Sequence, residues 1–203
     1  MSDQALVDMP DGFTPWGPLL RARWYSVVTS NAVAIYHGVI VEYVGNTLVT
    51  PAMGSLMAVI PEEHGQAANT LVGVVIGIAD HNFIPMLYMP VTTVGNSVIA
   101  GYVLVADHQD QVFVGQEDGD TSSIVAANIG LPADCIGVTG STVTGRSYME
   151  IDSNTIAATA TLAVQVIGVH PEDTMNVGGA AGTNCRFLVK INPHLYSTNA
   201  VGA

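Results

Sequence analysis

The clearest pattern in the sequence is a strict alternation of side chains near its C-terminal end. Residues 186–191 place Phe, Val and Ile at every second position, between Arg, Leu and Lys. Residues 160–169 show the same period, with Leu, Val and Val at positions 162, 164 and 166. A period of two over six or more residues is typical of a half-buried β-strand. Both segments are therefore predicted to be strands.

Other strand candidates share β-branched and aromatic residues bounded by Gly, Pro, Asn or Asp. They are residues 33–44, 47–50, 55–60, 70–79, 86–88, 98–106 and 112–116. Strands spaced at roughly 10 to 15 residues, with turn residues between them, favour antiparallel pairing in a barrel or a sandwich. The predicted fold class is therefore all-β, mainly an antiparallel β-barrel or sandwich.

Only one segment carries good helix signals. Asp120-Thr-Ser-Ser offers capping side chains, the run Ile124-Val-Ala-Ala-Asn follows, and Gly130 can end the helix. Residues 142–152 then indicate a hairpin with Arg146, Tyr148 and Glu150 on one face. We predict an N-terminal arm at residues 1–30 and a single β-barrel domain at residues 31–203. The short helix and the hairpin would lie in an excursion from that domain, at about residues 118–159.

The composition indicates how much charge is available to cover the surface of the folded chain. The chain has 203 residues, of which 49% are hydrophobic and 11% charged, whereas soluble domains carry about 25% charged residues. Such a chain has little charge with which to cover a lone monomer. This favours burial of part of its outside, against copies of itself or in a larger assembly.

A membrane would also hide apolar surface, and residues 82–106 contain no charged residue. This length could span a bilayer as a helix. However, Pro85, Pro90 and the Gly95-Asn96 turn interrupt it, and β-branched residues dominate it. The segment therefore predicts short strands and no membrane partner.

The charge balance and the missing motifs limit the function classes. The net charge is −12, with only five Lys and Arg residues, which argues against binding nucleic acid or an anionic membrane. The dinucleotide-binding glycine fingerprint, the P-loop, the nucleophile elbow and the His-Glu-x-x-His motif are absent from the sequence. We expect no enzymatic activity, no catalytic residues and no cofactor. A small hydrolase with a site assembled from scattered residues is the remotest alternative.

Several acids, histidines and cysteines could in principle hold a metal. The run Gln116-Glu-Asp-Gly-Asp120 places three carboxylates within four residues, as a calcium loop might, but it lacks the ligand spacing of an EF-hand. We predict an acidic turn in which Asp120 caps the following helix, and no metal. Asp80-His81 and Asp107-His108 are predicted to be surface turns. The N-terminus has no features of a secretion signal, so Cys135 and Cys185 are expected to be buried free thiols.

A second local feature combines Trp16 and Trp24 with Arg21 and Arg23. Two of the four arginines lie between the only two tryptophans. These residues could simply pack against the core. Alternatively they anchor a partner, because Trp and Arg are favoured at the centres of interfaces.

The order of several segments carries a family resemblance. They are Tyr36-His-Gly-Val-Ile-Val41, Pro51-Ala-Met-Gly54, Leu71-Val-Gly-Val-Val-Ile-Gly77, Tyr88-Met-Pro90, and residues 100–118, 140–152 and 157–162. Together they resemble virion structural proteins of tailed bacteriophages, those taken as capsid decoration (cement) proteins. The resemblance covers residues 33–193.

The resemblance implies a β-barrel domain on the outer capsid surface, where it clamps neighbouring capsomers after assembly in the host cytoplasm. The expected partners are the major capsid protein and other copies of the chain, preferably as a trimer. The capsid contact is expected at Trp16, Arg21, Arg23 and Trp24. The alternative is a tail or fibre module that binds host glycans, for which an exposed group of Trp and Tyr beside Asp or Asn would be the sign.

Overall fold

The computed structural model describes residues 8–28, 33–43, 59–61, 71–91, 99–120, 124–158, 162–173 and 184–197. In this part of the chain the strands are β1 (Thr14–Trp16), β2 (Ala22–Val28), β3 (Ile40–Tyr43), β4 (Val59–Pro61), β5 (Leu71–Asp80), β6 (Ile99–Ala106), β7 (Val112–Gln116), β8 (Pro132–Ile136), β9 (Glu150–Asp152), β10 (Val164–Val169) and β11 (Arg186–Ile191). They form a six-stranded sheet in the order β1-β7-β11-β10-β8-β9 and a five-stranded sheet in the order β2-β6-β5-β3-β4.

Neighbouring strands in both sheets pair antiparallel. The predicted all-β class is therefore confirmed, in its sandwich form. The described strands do not close into a barrel, because each sheet keeps two edge strands: β1 and β9 in one, β2 and β4 in the other.

The core takes side chains from both sheets. In β11 the side chains of Phe187, Val189 and Ile191 are buried, and the residues between them are half-buried, as the alternation predicts. In β6, Val103 and Val105 are fully buried in the same apolar cluster as Phe113 and Phe187. Burial of this apolar surface is the main stabilising contribution to such a fold.

Most strand predictions correspond to observed strands in the described residues, although the strand predicted at residues 33–44 is reduced to Ile40–Tyr43. Residues 86–88 form no strand, although Pro85 and Met89 on either side make isolated bridges to Ala79 and Ile35. Residues 47–50 and 55–58 lie outside the described part of the chain. Within residues 82–106, β6 is the only described strand, and no helix of the described residues is long and apolar enough to cross a membrane.

The described part of the predicted arm, residues 8–28, belongs to the sandwich instead of extending from it. β1 pairs with β7 in one sheet, and β2 pairs with β6 in the other. The reason is burial: Phe13 is 1% exposed, and Tyr25 and Val27 of β2 join the core. A boundary at residue 30 therefore does not separate an arm from a domain in these residues.

The predicted excursion also differs from the structure. β8 pairs with β10 and β9 pairs with β8, so residues 132–136 and 150–152 extend the six-stranded sheet. The predicted helix is reduced to a single 3-10 turn, Ala126–Asn128. The residue at the start of this turn is Val125, and the Asp120 carboxylate accepts hydrogen bonds from Ser153 and Asn154.

The predicted hairpin face at residues 146–150 does agree with the structure. Arg146 and Tyr148 are exposed and Glu150 is half-buried, whereas Ser147 and Met149 between them are buried.

Candidate functional site

The N-terminal segment exposes apolar side chains beside an edge strand. β1 pairs only with β7, so its other edge carries no strand in the described structure. Five apolar side chains around it are 41–69% exposed: Met9, Trp16, Leu19, Leu20 and Leu87. We call this group, together with the edge of β1, the β1 surface. An unpaired strand edge bordered by apolar side chains is a site at which another protein can dock.

Two clefts border β1. One, of about 570 Å³, is lined by Met9 and Trp16 together with Gln116 and Arg186. The other, of about 460 Å³, is lined by Leu19, Leu87 and Arg146. Thr14 and Pro15 line both clefts, so β1 forms the ridge between them. A ridge between two grooves suits a partner that surrounds the strand better than one that enters a single deep pocket.

A buried glutamine holds this segment to the sandwich. The side chain of Gln111 accepts a hydrogen bond from the backbone N–H of Leu20 at 2.9 Å and donates to the carbonyl of Val112 at 3.0 Å. Its amide nitrogen also approaches the carbonyl of Trp16 at 3.4 Å. The connection from β1 to β2 is therefore fixed, and the β1 surface has a defined shape before any partner arrives.

A buried carboxylate organises the polar groups at the start of β2. Asp107 accepts hydrogen bonds from Arg21 Nε at 2.8 Å, from Arg23 Nε at 2.5 Å and from the Tyr25 hydroxyl at 2.5 Å. Both guanidinium groups also lie over the ring of Tyr196, at 5.2 and 4.7 Å from its centroid. We call these five residues the Asp107 cluster.

The electrostatics of the Asp107 cluster favour the ionised carboxylate. Burial raises the pKa of Asp107, but the hydrogen bonds from Tyr25, Arg21 and Arg23 outweigh it and leave the pKa below its ordinary value. Burial, and then the bond to Asp107, raise the pKa of Tyr25, so this hydroxyl keeps its proton and donates. The sequence predicts that Asp107 lies in a surface turn; this prediction is wrong, because its side chain is fully buried.

His194 lies beside this cluster and is buried. Burial lowers its pKa to about 4, with further repulsion from Arg21 and His108, although Asp107 acts in the opposite direction. The ring is therefore neutral at pH 7, and its Nδ1 accepts a hydrogen bond from the backbone N–H of Tyr196 at 3.0 Å.

This depressed pKa predicts a loss of stability in acid. In the unfolded chain His194 binds a proton near pH 6.5, whereas in the folded chain it binds one only near pH 4. Between these two pH values the unfolded state binds more protons than the folded state. The free energy of unfolding should therefore decrease as the pH is lowered from 6.5 to about 4, by up to about 3 kcal/mol. Urea unfolding of the wild type and of His194→Phe at several pH values measures the effect. An equal loss in both proteins would show that other groups cause it.

The four predicted contact residues do not form one group. Arg21 and Arg23 are held by Asp107, with side chains 38% and 46% exposed. Trp16 packs edge-on against His170, at 4.7 Å between ring centroids. Trp24 belongs to the other sheet and packs edge-on against Phe83, at 5.6 Å. Successive residues of a strand point to opposite faces, which separates Trp24 from Arg23 and Tyr25.

The predicted acidic turn lies at the end of β7 and faces β9. Glu117 bridges to Ile151, and its Oε2 accepts a hydrogen bond from the backbone N–H of Asn184 at 3.0 Å. The Ser153 hydroxyl donates to Asp118 and Asp120, each at 3.0 Å. Carboxylate oxygens of Glu117, Asp118 and Asp120 all lie within 4.8 Å of one another. Among the described residues, this is the one group of acids, histidines and cysteines close enough to hold a metal.

The two cysteines and the Asp80-His81 pair form no comparable site among the described residues. Cys135 and Cys185 are both buried and are not joined by a disulfide. Asp80 accepts hydrogen bonds from the backbone N–H groups of Asn82 and Ile84, which makes the 80–84 segment a side-chain-stabilised turn.

Comparisons with protein-family models, with curated proteins and with solved structures find no match to this chain. What the protein does must therefore be inferred from its own surface and side-chain clusters. Among the described residues these are the β1 surface, the Asp107 cluster, the Trp24–Phe83 pair and the acidic group at the end of β7.

Proposed function

We propose that the protein is a non-enzymatic capsid decoration protein, which binds the outside of a tailed-phage head and stabilises contacts between capsomers. The resemblance of its segments to such proteins suggests this function, and the charge-poor composition supports a chain that is partly covered in an assembly. Its partners would be the major capsid protein and other copies of itself, preferably in a trimer.

The β1 surface is the observation that carries the proposal. It joins a strand edge with no neighbouring strand among the described residues to five apolar side chains that are 41–69% exposed. Each copy needs only a modest interface, because many copies on a symmetric shell act together. Trp16 is the proposed anchor, since a tryptophan at the centre of an interface often contributes a large part of the binding energy.

Arg21 and Arg23 have a different role in this proposal. Asp107 already neutralises part of their charge and fixes their orientation. Their exposed portions are available at the rim of the interface, where charged residues affect partner choice more than affinity.

The chain itself offers a matched pair of substitutions to test the contact. Trp16 and Trp24 are 41% and 37% exposed, and each packs against one aromatic or imidazole ring. We expect Trp16→Ala to weaken binding to purified expanded heads at least about tenfold, as for an interface anchor. Trp24 lies away from β1, so Trp24→Ala should bind expanded heads with an affinity within about twofold of that of the wild type. Sedimentation of heads with increasing protein gives the affinity and the saturating copy number.

The heads themselves provide the functional measurement. Saturated heads should be disrupted at a higher temperature than bare heads. Trp16→Ala, added at the same concentration, should raise this disruption temperature less than the wild type does. Circular dichroism of each variant checks that the sandwich is intact. The proposal fails if saturated heads are no more heat-resistant than bare ones, or if the protein sediments only with tails.

The second candidate function is a tail or fibre module that binds host glycans, and one observation favours it. Trp24 and Phe83 are in contact, Phe83 stacks on Tyr102 at 4.0 Å, and Asn82 is exposed beside them. Aromatic faces next to an amide are suited to sugar rings. The same two variants separate the candidates: a glycan array should lose its signal with Trp24→Ala and keep it with Trp16→Ala.

A further inference from the structure

The acidic group at the end of β7 contains a buried carboxylate oxygen without a partner. Glu117 is fully buried, and although its Oε2 accepts a hydrogen bond from Asn184, its Oε1 has no hydrogen-bond partner in the described structure. A buried carboxylate oxygen without a hydrogen-bond partner costs more free energy than a buried neutral polar group without one. A surface turn of acids, which is what the sequence predicts here, does not require this arrangement.

A second orphaned oxygen and an excess of negative charge accompany it. Glu150 Oε1 is likewise buried without a partner among the described residues. The charged groups that act on Glu117 are Asp118 and Asp120. Those that act on Glu150 are Asp8, Asp118 and Glu117. All of these charges are negative, so no cation among the described residues compensates them.

We propose that Glu117, Asp118 and Asp120 bind a calcium ion, with Glu150 at the border of the site. The three carboxylates bring oxygens to within 4.8 Å of one another, so a common centre lies no more than about 2.8 Å from each. This is close to the 2.3–2.6 Å distance between calcium and its oxygen ligands. One ion at their centre can therefore reach all three. It would satisfy Glu117 Oε1 and supply the missing positive charge.

Calcium fits this group better than magnesium or zinc. All the ligands are oxygens, and no histidine or cysteine belongs to the described group, which disfavours zinc. Magnesium keeps several waters in a strict octahedron, whereas calcium accepts several carboxylates in irregular geometry. The site lies where β7 ends and meets β9, and the turn Ser153–Thr155 contacts it through Ser153. The ion would therefore join two distant parts of the six-stranded sheet.

The test measures calcium binding to the full chain directly and through thermal unfolding. After EDTA treatment and dialysis, titration with CaCl₂ in a calorimeter should give one site per chain. At a hundredfold excess of calcium over its Kd, the melting temperature should rise by about 5–10 °C. The same concentration of MgCl₂ should give a clearly smaller rise.

Glu117→Gln gives the most specific result, because two effects of opposite sign are expected. Without calcium the variant should melt at a higher temperature than the wild type, since a buried, uncompensated charge is removed while an oxygen remains for Asn184. Addition of calcium should leave the melting temperature of this variant unchanged. Asp118→Asn is the second variant and should weaken calcium binding at least about tenfold, as the loss of a charged ligand does.

Glu172→Gln is the matched control. The side chain of this glutamate is 74% exposed, lies outside the acidic group and pairs with Arg186 at 3.2 Å. Its substitution should therefore leave the calcium response unchanged. The proposal is overturned if the wild type binds no calcium at millimolar concentration or if Glu117→Gln and Asp118→Asn bind it as well as the wild type. A calcium response that Glu172→Gln also loses would show general charge screening and would overturn it too. An equal response to magnesium would overturn the assignment of calcium.

Discussion

Replacing Asp107 by alanine is expected to lower the free energy of unfolding by about 2–4 kcal/mol, because it leaves a buried ion-pair network without its acceptor. The change would deprive the Arg21 and Arg23 guanidinium groups and the Tyr25 hydroxyl of their common acceptor. The arginines are partly exposed and can turn to water. Among the described residues, the buried Tyr25 hydroxyl then keeps only its 3.2 Å contact with Tyr196. Urea unfolding monitored by circular dichroism measures the difference.

Asp110→Ala is the control for this substitution. Asp110 is three residues away, and its 58% exposed side chain pairs with Lys190 at 3.3 Å. Removal of such a surface pair should cost less than about 1 kcal/mol. Tyr25→Phe should lie between the two, at about 1 kcal/mol, since it removes one hydrogen bond and keeps the ring. If Asp107→Ala is no worse than Asp110→Ala, the Asp107 cluster does not stabilise the fold.

The strands were predictable because their pattern is local. In residues 186–191 every second side chain is apolar, and burial on one face of β11 follows directly from it. The Arg146–Glu150 face was predictable for the same reason. Choosing between a barrel and a sandwich requires the pairing between strands far apart in the sequence, such as β1 with β7. A single sequence contains no direct signal for that pairing.

The Asp107 cluster could not be found in the sequence for a related reason. Arg21 and Asp107 are 86 positions apart, and Tyr25 and Tyr196 are 171 apart. The sequence shows Asp107 only as an acid next to His108, which resembles a turn. Pairing of Ala22 with Ala106 is what brings Arg21 to Asp107. The arginines stood out by their rarity, but their partner did not.

Grouping by proximity in sequence also failed for the two tryptophans. They are eight positions apart, yet the connection between β1 and β2 crosses from one sheet to the other. Trp16 and Trp24 therefore reach different ring partners, His170 and Phe83. The acidic group, in contrast, was visible as a run of carboxylates, but the burial of Glu117 and the contact with Ser153 depend on tertiary structure.

The sequence predicts an arm at residues 1–30 because one buried aromatic side chain among polar and proline residues carries no periodic signal. That side chain is Phe13, and we expect Phe13→Ala to lower the free energy of unfolding by about 3–5 kcal/mol, as for other buried aromatic residues. Phe13 is 1% exposed and packs against Gly115 of β7, where an added Cβ would lie 2.3 Å from its ring. Without the ring, the residue that precedes β1 no longer packs in the apolar core. Urea unfolding gives the magnitude, and faster trypsin cleavage after Arg21 would report the release of the segment.

Trp16→Ala and Gly115→Ala distinguish this packing from a general effect of truncation. Trp16 is 41% exposed, so its loss should cost no more than about 2 kcal/mol even though the side chain is larger. Gly115→Ala should destabilise the wild type, because the three nearest atoms to the added methyl group all belong to Phe13. In the Phe13→Ala background the same methyl group enters the space that the ring leaves, so the cost should fall by at least about 1 kcal/mol. If the two substitutions are simply additive, Phe13 does not hold β1 against β7, and the β1 surface would need another anchor.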